Sequence, residues 1–149
     1  MFEIELKNPD EMVIKAKERV VNINVAQSTV SSDLKVGTIG GAGEFEIGDI
    51  TIVGSSLKEG GIMYRVDVDG VKIGIVGNTA KTEDLDNLGP VAILGTSNPK
   101  TVPIVEPKIV IPMGNMDIAE IKATIKVEKK LKIKNASSLP VVMEVWKLD

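Results

Sequence analysis

The chain has 149 residues, with 18 basic and 21 acidic side chains, a net charge of −3, and neither cysteine nor histidine. The missing thiols and imidazoles exclude disulfides, thiolate zinc sites and the usual general base. Charge is spread without a basic run, and one Trp, one Tyr and two Phe offer no platform for stacking bases, so nucleic acid is excluded as a partner.

The first residues, MFEIELKNPDEM, are too acidic and mixed for a signal peptide. No apolar run approaches the roughly 18 residues that cross a bilayer. A cytoplasmic protein forming a single domain over residues 1–149 is the expectation.

In chain order, Phe2-Glu3-Ile4-Glu5-Leu6 alternates apolar and acidic residues, the period-2 signature of a half-buried strand, and Asn8-Pro9 ends it. Residues 12–14 and 19–25 predict a hairpin across the charged turn 15–18. Residues 27–33, QSTVSSD, are polar enough to read as a loop. VGTIGGAG follows, with Gly37, Gly40, Gly41 and Gly43. A phosphate-binding loop needs its glycines between a strand and a helix start. Here they lead into EFEIGDITIVG, a second hairpin with Phe45 and Ile47 facing Ile52 and Ile50 across Gly48-Asp49. A structural turn is expected.

The stretch 62–95 organises the rest. Tyr64, Val66 and Val68 alternate with Arg65, Asp67 and Asp69, and Asp69-Gly70 supplies the two positive-φ positions of a type I′ turn. A two-residue loop then sets Val68 opposite Val71, Asp67 opposite Lys72, Val66 opposite Ile73 and Tyr64 opposite Ile75. The apolar pairs share one face, and the 67–72 pair is of opposite charge. After Gly77-Asn78 a short polar helix is predicted over about 81–88, stopped by Gly89-Pro90, and 91–94 reads as a buried parallel strand. Strand, crossover and strand place the Gly77-Asn78 turn at the carboxyl end of a sheet, where α/β proteins keep their ligands. The side chains available there are the Asn78 amide and the Thr79 hydroxyl.

TSNPKTVPIVEP holds at most one helical turn, and KIVIP (108–112) is a short apolar strand. Ile118, Ile121 and Ile125 at helical spacing behind Asp117 predict a capped helix over about 117–125. Residues 127–134 fit a strand or a helix, and 141–146 a last strand. Roughly eight to ten strands and two short helices make an α+β, β-rich two-sheet sandwich.

GAGEFEIGDITIVG, then MYRVDVDGVKIGIVGN with LGPVAIL, then EPKIVIPM, resemble in that order the second half of a small metallo-β-lactamase-fold family, described as predicted metal-dependent hydrolases. The likeness covers about residues 37–112 and extends toward 149. It implies a reduced αββα sandwich with few short helices. In that family a Gly-Asp ending one strand bridges two metals, and a strand of the type P-K-hydrophobic-V-I-P-M precedes a metal-binding histidine. The matching positions here are Asn78 and Gly114. The family's H-x-H-x-D-H loop has no counterpart, because only 36 residues precede Gly37. A binuclear zinc site takes about six to eight ligands, mostly imidazoles. The resemblance thus implies the fold and removes its chemistry.

Other candidates read as surface. Asp67 and Asp69 share a strand face with Arg65, with Asp67 paired to Lys72, and Glu44 and Glu46 are solvated. Ser28, Ser31 and Ser32 have no base but lysine. A vestigial pocket around Asn78, Thr79, Gly114 and Asn115 is the candidate site, smaller than a working active site and closed by residues 27–33 or 99–107. The reading is a non-catalytic metallo-β-lactamase-fold protein acting as a binding or assembly module, without metal or cofactor and without a nucleic-acid or membrane partner. The alternatives are a hydrolase using a non-histidine metal or none, and a small-molecule binder. Ile4, Leu6, Val13, Val20, Ile23 and Val25 keep apolar spacing in a short N-terminal sheet that lacks helices. An uncovered apolar face there predicts a homodimer.

Overall fold

Alternating apolar residues give fourteen strands among the described residues, paired into two sheets. The computed structural model describes residues 1–33 and 39–149, so Gly37 lies outside the described residues. The first sheet is antiparallel. It comprises β1 (Phe2–Asn8), β2 (Glu11–Ala16), β3 (Arg19–Asn24), β4 (Thr29–Ser32) and β5 (Ile39–Gly40), with β13 (Lys130–Ile133) returning beside β1. The second sheet starts from β6 (Gly43–Ile47), β7 (Ile50–Ser56), β8 (Ile62–Val68) and β9 (Val71–Val76), joined antiparallel. It continues in parallel through β10 (Ile93–Thr96), β11 (Ile109–Pro112), β14 (Glu144–Leu148) and β12 (Thr124–Glu128). No helix among the described residues is long and apolar enough to cross a membrane.

Two apolar layers hold this arrangement. Ile4, Ile14 and Ile23 of the first sheet meet Ile52, Val66 and Ile73 of the second, all fully buried. Each such side chain contributes about 1.5–3 kcal/mol of burial. The opposite face of the second sheet carries Met63, Val76, Leu94 and Val110, covered by Leu85 and Leu88 of α1 (Thr82–Leu88) and Val102 of α2 (Val102–Val105). The sandwich is the β-rich, helix-poor one expected. The β8–β9 hairpin has the register read from Asp69-Gly70, Tyr64 opposite Ile75 through Val68 opposite Val71. The β6–β7 pairing is likewise Phe45 with Ile52 and Ile47 with Ile50. Gly41, at φ 86, turns the chain between two strands rather than into a helix.

Four expectations fail. The described residues form fourteen strands rather than eight to ten. Residues 27–33 are not all loop: β4 pairs with β3, Ile23 opposite Val30, and Val30 is 1% exposed. Its serines and threonine occupy a strand because one inward valine suffices to anchor it. The helix over 117–125 does not form. Asp117 Oδ1 accepts from the Ala119 N–H at 2.9 Å, closing a local turn, and Thr124 onward is β12. The outer face of the first sheet is polar rather than apolar. Ile4 and Ile23 point into the core, Leu6 and Val25 pack against it, and only Val13 and Val20 of the six remain outside. Around them Glu3 pairs with Lys130 at 3.5 Å, Lys15 with Glu5 at 2.9 Å, and Asn22 donates to Glu11 at 3.0 Å. The hydrogen bond and charge of Glu5 raise the pKa of Lys15. Among the described residues no helix covers this face.

Gly74 lets α1 approach. A β-carbon there would stand 3.1 Å from Leu88 Cδ2 and Val91 Cγ2 and 3.3 Å from Leu94 Cδ1. Gly74→Val is expected to destabilise the protein by about 1–3 kcal/mol through overpacking, read as a lower urea midpoint. Tyr64 is fully buried, its hydroxyl has no hydrogen-bond partner among the described residues, and burial pushes its phenol up to about 12. The unfolded phenol releases its proton near pH 10. The folded state therefore holds more protons between the two values, and stability falls as pH rises through that window. As the chain has one tyrosine, tyrosinate absorbance follows this group alone and should rise near pH 12 in the folded protein. Tyr64→Phe removes an unsatisfied hydroxyl and should leave stability equal or higher.

Candidate functional site

The parallel strands fix where the site can be. Thr96 of β10 lies level with Val76 of β9 and with Pro112 of β11. The segments that follow, Gly77-Asn78-Thr79, Ser97 and Met113-Gly114, therefore leave the sheet side by side. The Ser97 N–H donates to the Val76 carbonyl at 3.4 Å and the Met113 N–H to the Thr96 carbonyl at 2.9 Å. The first sheet brings two turns to the same end. Asp10 lies between β1 and β2, with its carbonyl accepting from the Val25 N–H, and Ser28 precedes β4.

Between these turns is a cavity of about 410 Å3, lined by Asp10, Ser28, Glu59, Gly61, Asn78, Thr79 and Ser97 with apolar walls from Val25, Leu57 and Ile62. Ser28 takes a left-handed backbone, φ 56, and its Oγ accepts from the Ile62 N–H at 3.1 Å, tying one sheet to the other. Thr79 Oγ1 donates to the Gly60 carbonyl at 3.2 Å. A β-carbon at Gly61 would lie 3.7 Å from Ser28 Oγ and 3.8 Å from Thr79 Oγ1, so two hydroxyls converge on the space that this glycine leaves open.

The structure thus brings Asn78 and Thr79 into one cavity, both exposed. Gly114 stands behind its wall: a β-carbon there would be 3.3 Å from Ser97 Cβ and 3.9 Å from Asp10 Oδ1. Its own N–H donates to the Pro9 carbonyl at 2.8 Å, and it opens on a neighbouring cavity of about 370 Å3 with Pro9, Met116 and Asp149. Asn115 is exposed and lines neither cavity. The expected closure is not found. From residues 27–33 only Ser28 reaches the cavity, and Lys100, Thr101 and Ile104 line an adjoining crevice that shares Asn78 with it. The sequence reading missed Asp10, Glu59 and Ser97. Ser97 was within reach, since it follows β10 as Gly77 follows β9. Asp10 and Glu59 arrive on turns between antiparallel strands and carry no sequence signal.

The other carboxylates lie elsewhere. Asp67 stands opposite Lys72 in register, but its ion pair is with Arg65 at 3.6 Å. Asp69 holds the N-terminal amine at 2.8 Å. Glu59 pairs with Lys81 at 3.5 Å on the cavity rim. Among the described residues, no three His, Cys, Asp or Glu side chains gather where they could hold a metal ion. The donor set at the cavity, an amide, hydroxyls and two carboxylates from separate turns, does not fit a binuclear zinc centre.

Asp84 holds the rim in place. Only 5% exposed, its carboxylate accepts from the Lys81 N–H at 2.8 Å, capping α1, and from the Lys58 N–H at 3.1 Å, fixing the loop that carries Glu59 and the two glycines. Asp84→Asn confronts one of these donors with an NH2 group and should cost about 1–3 kcal/mol. It should also speed amide exchange at Lys58 and Gly60 before it affects β9.

Comparison with known proteins bears on the fold. No family model matches the sequence, and no curated protein matches it. A solved structure from Thermotoga maritima, described as that of a proposed Zn-dependent hydrolase of the metallo-β-lactamase superfamily, superposes with a TM-score of 0.71 at 13% identity. The match covers 99% of this chain and 99% of that one. The chain has the metallo-β-lactamase fold.

Proposed function

We propose that the protein is a non-catalytic binding module built on the metallo-β-lactamase fold. The observation that carries the reading is the donor set at the strand ends. Asn78 and Gly114 stand where the family resemblance calls for an aspartate and a histidine, and the chain has no imidazole or thiolate to replace them. An amide and a glycine bind metal far more weakly than a carboxylate and an imidazole. Asp10 and Glu59 do not make up the loss, because Glu59 is engaged by Lys81. Gly114, at φ 57, is also a position where a histidine would be strained.

A second reading, a small-molecule binder, is supported by the open cavity itself. Its hydroxyls, amide and two rim carboxylates suit a neutral polyol or a small amine better than an anion. Ligand-observed NMR with a set of polyols and primary amines addresses it, with loss of the signal in Ser28→Ala as the control for the site.

Elemental analysis after dialysis tests the main reading. Far less than one zinc, manganese or iron per chain is expected, together with no turnover of β-lactam, phosphodiester or thioester substrates above background. The same result is expected for Asn78→Asp, since one restored carboxylate has no partners with which to bridge a metal. Stoichiometric metal in the unmodified protein would overturn the reading.

A further inference from the structure

β12 is the outermost strand of the eight-stranded sheet, and every one of its residues is exposed. Its inner edge pairs with β14 in parallel, Thr124 beside Glu144 through Glu128 beside Leu148. The Asp149 N–H donates to the Glu128 carbonyl at 2.9 Å, which puts the backbone groups of Glu128 on the β14 side. Backbone groups alternate sides along a strand. Thr124 and Lys126 therefore also face β14, whereas Ile125 and Val127 turn their N–H and C=O groups outward. Among the described residues no strand lies beside them.

Two further features mark this edge. Ile125 and Val127 are 46% and 58% exposed, apolar where an open edge would ordinarily be polar. The lysine that commonly guards such an edge is drawn back: the Lys126 ammonium lies 3.3 Å from Glu144 Oε2 and 5.0 Å from the centre of the Trp146 ring.

We propose that a second copy of this chain docks here, β12 against β12 in antiparallel, about a two-fold axis at Val127. In that register Val127 and the partner's Val127 form a hydrogen-bonded pair through their outward backbone groups. Each Lys126 stands opposite the partner's Glu128, and the symmetry makes this pair twice. Centring the pairing on Lys126 or on Glu128 would instead set like charges face to face. In this register the strand is thus complementary in charge to a second copy of itself, and the two sheets become one continuous sheet. This is a different surface from the polar outer face of the first sheet.

Sedimentation velocity from low to high micromolar concentration tests the proposal. A reversible shift from 15.9 kDa toward about twice that mass is expected. Val127→Pro removes an outward N–H without touching the ladder to β14, a placement that edge strands tolerate. It should stay monomeric with an unchanged far-UV spectrum. Glu128→Lys, on an exposed side chain, replaces two attractions by two repulsions. It should weaken association about tenfold, with partial recovery at high salt. A wild type monomeric throughout, or a dimer that persists in Val127→Pro, would overturn the proposal. Should that variant not fold, unchanged association of Glu128→Lys overturns it equally.

Discussion

β10 is hydrogen-bonded on both sides to parallel neighbours, and much of the molecule's organisation follows from that constraint. A parallel strand needs a crossover to reach its neighbour, so α1 and α2 must lie on one face of the sheet. That face is therefore apolar, and Gly74 must lack a side chain for α1 to settle on it. The same constraint ends β9, β10 and β11 at one level and makes their following residues converge. The inter-sheet layer then fixes how far the first sheet slides along the second, which decides that Asp10 and Ser28 arrive at that end.

The core and the site are separable in this molecule. Ile4, Ile14, Ile23, Ile52, Val66 and Ile73 would pack the two sheets whatever stood at 78 or 114. The loops at the strand ends are tied down by their own polar contacts: Asp84 to Lys58, Thr79 to Gly60, and Ser28 to Ile62. None of these requires a metal to organise it. The fold and the site are thus separate questions, and function has to be read from the cavity rather than the architecture.

How much was legible in the sequence depended on how locally each element is specified. Asp69-Gly70 dictates its turn, and the turn dictates the pairing of every residue from Tyr64 to Ile75, so that hairpin could be read to the residue. Residues 27–33 could not, because their strand is imposed by β3 alongside and by the single inward Val30. Ile118, Ile121 and Ile125 mislead for a related reason. Their helical spacing is coincidental: the first two pack on the outer layer from an irregular segment, and the third sits exposed on β12. Asn78 and Thr79 were found because they follow a recognisable strand end. Asp10 and Glu59 were not, since what brings them near is the packing of two sheets that no local pattern encodes.

The ribbon from Thr124 to Ile133 ends one sheet and begins the edge of the other, with a single residue, Lys129, between β12 and β13. Through β13 it supplies the only neighbour that β1 has on that side, with Ile4 beside Leu131, residues from nearly opposite ends of the chain. During synthesis, therefore, β1 waits with an open edge until residues 130–133 have emerged. Such long-range closure places folding among the slower topologies, on the order of milliseconds to seconds. It also makes the seam along this ribbon the natural place for the sandwich to begin to open.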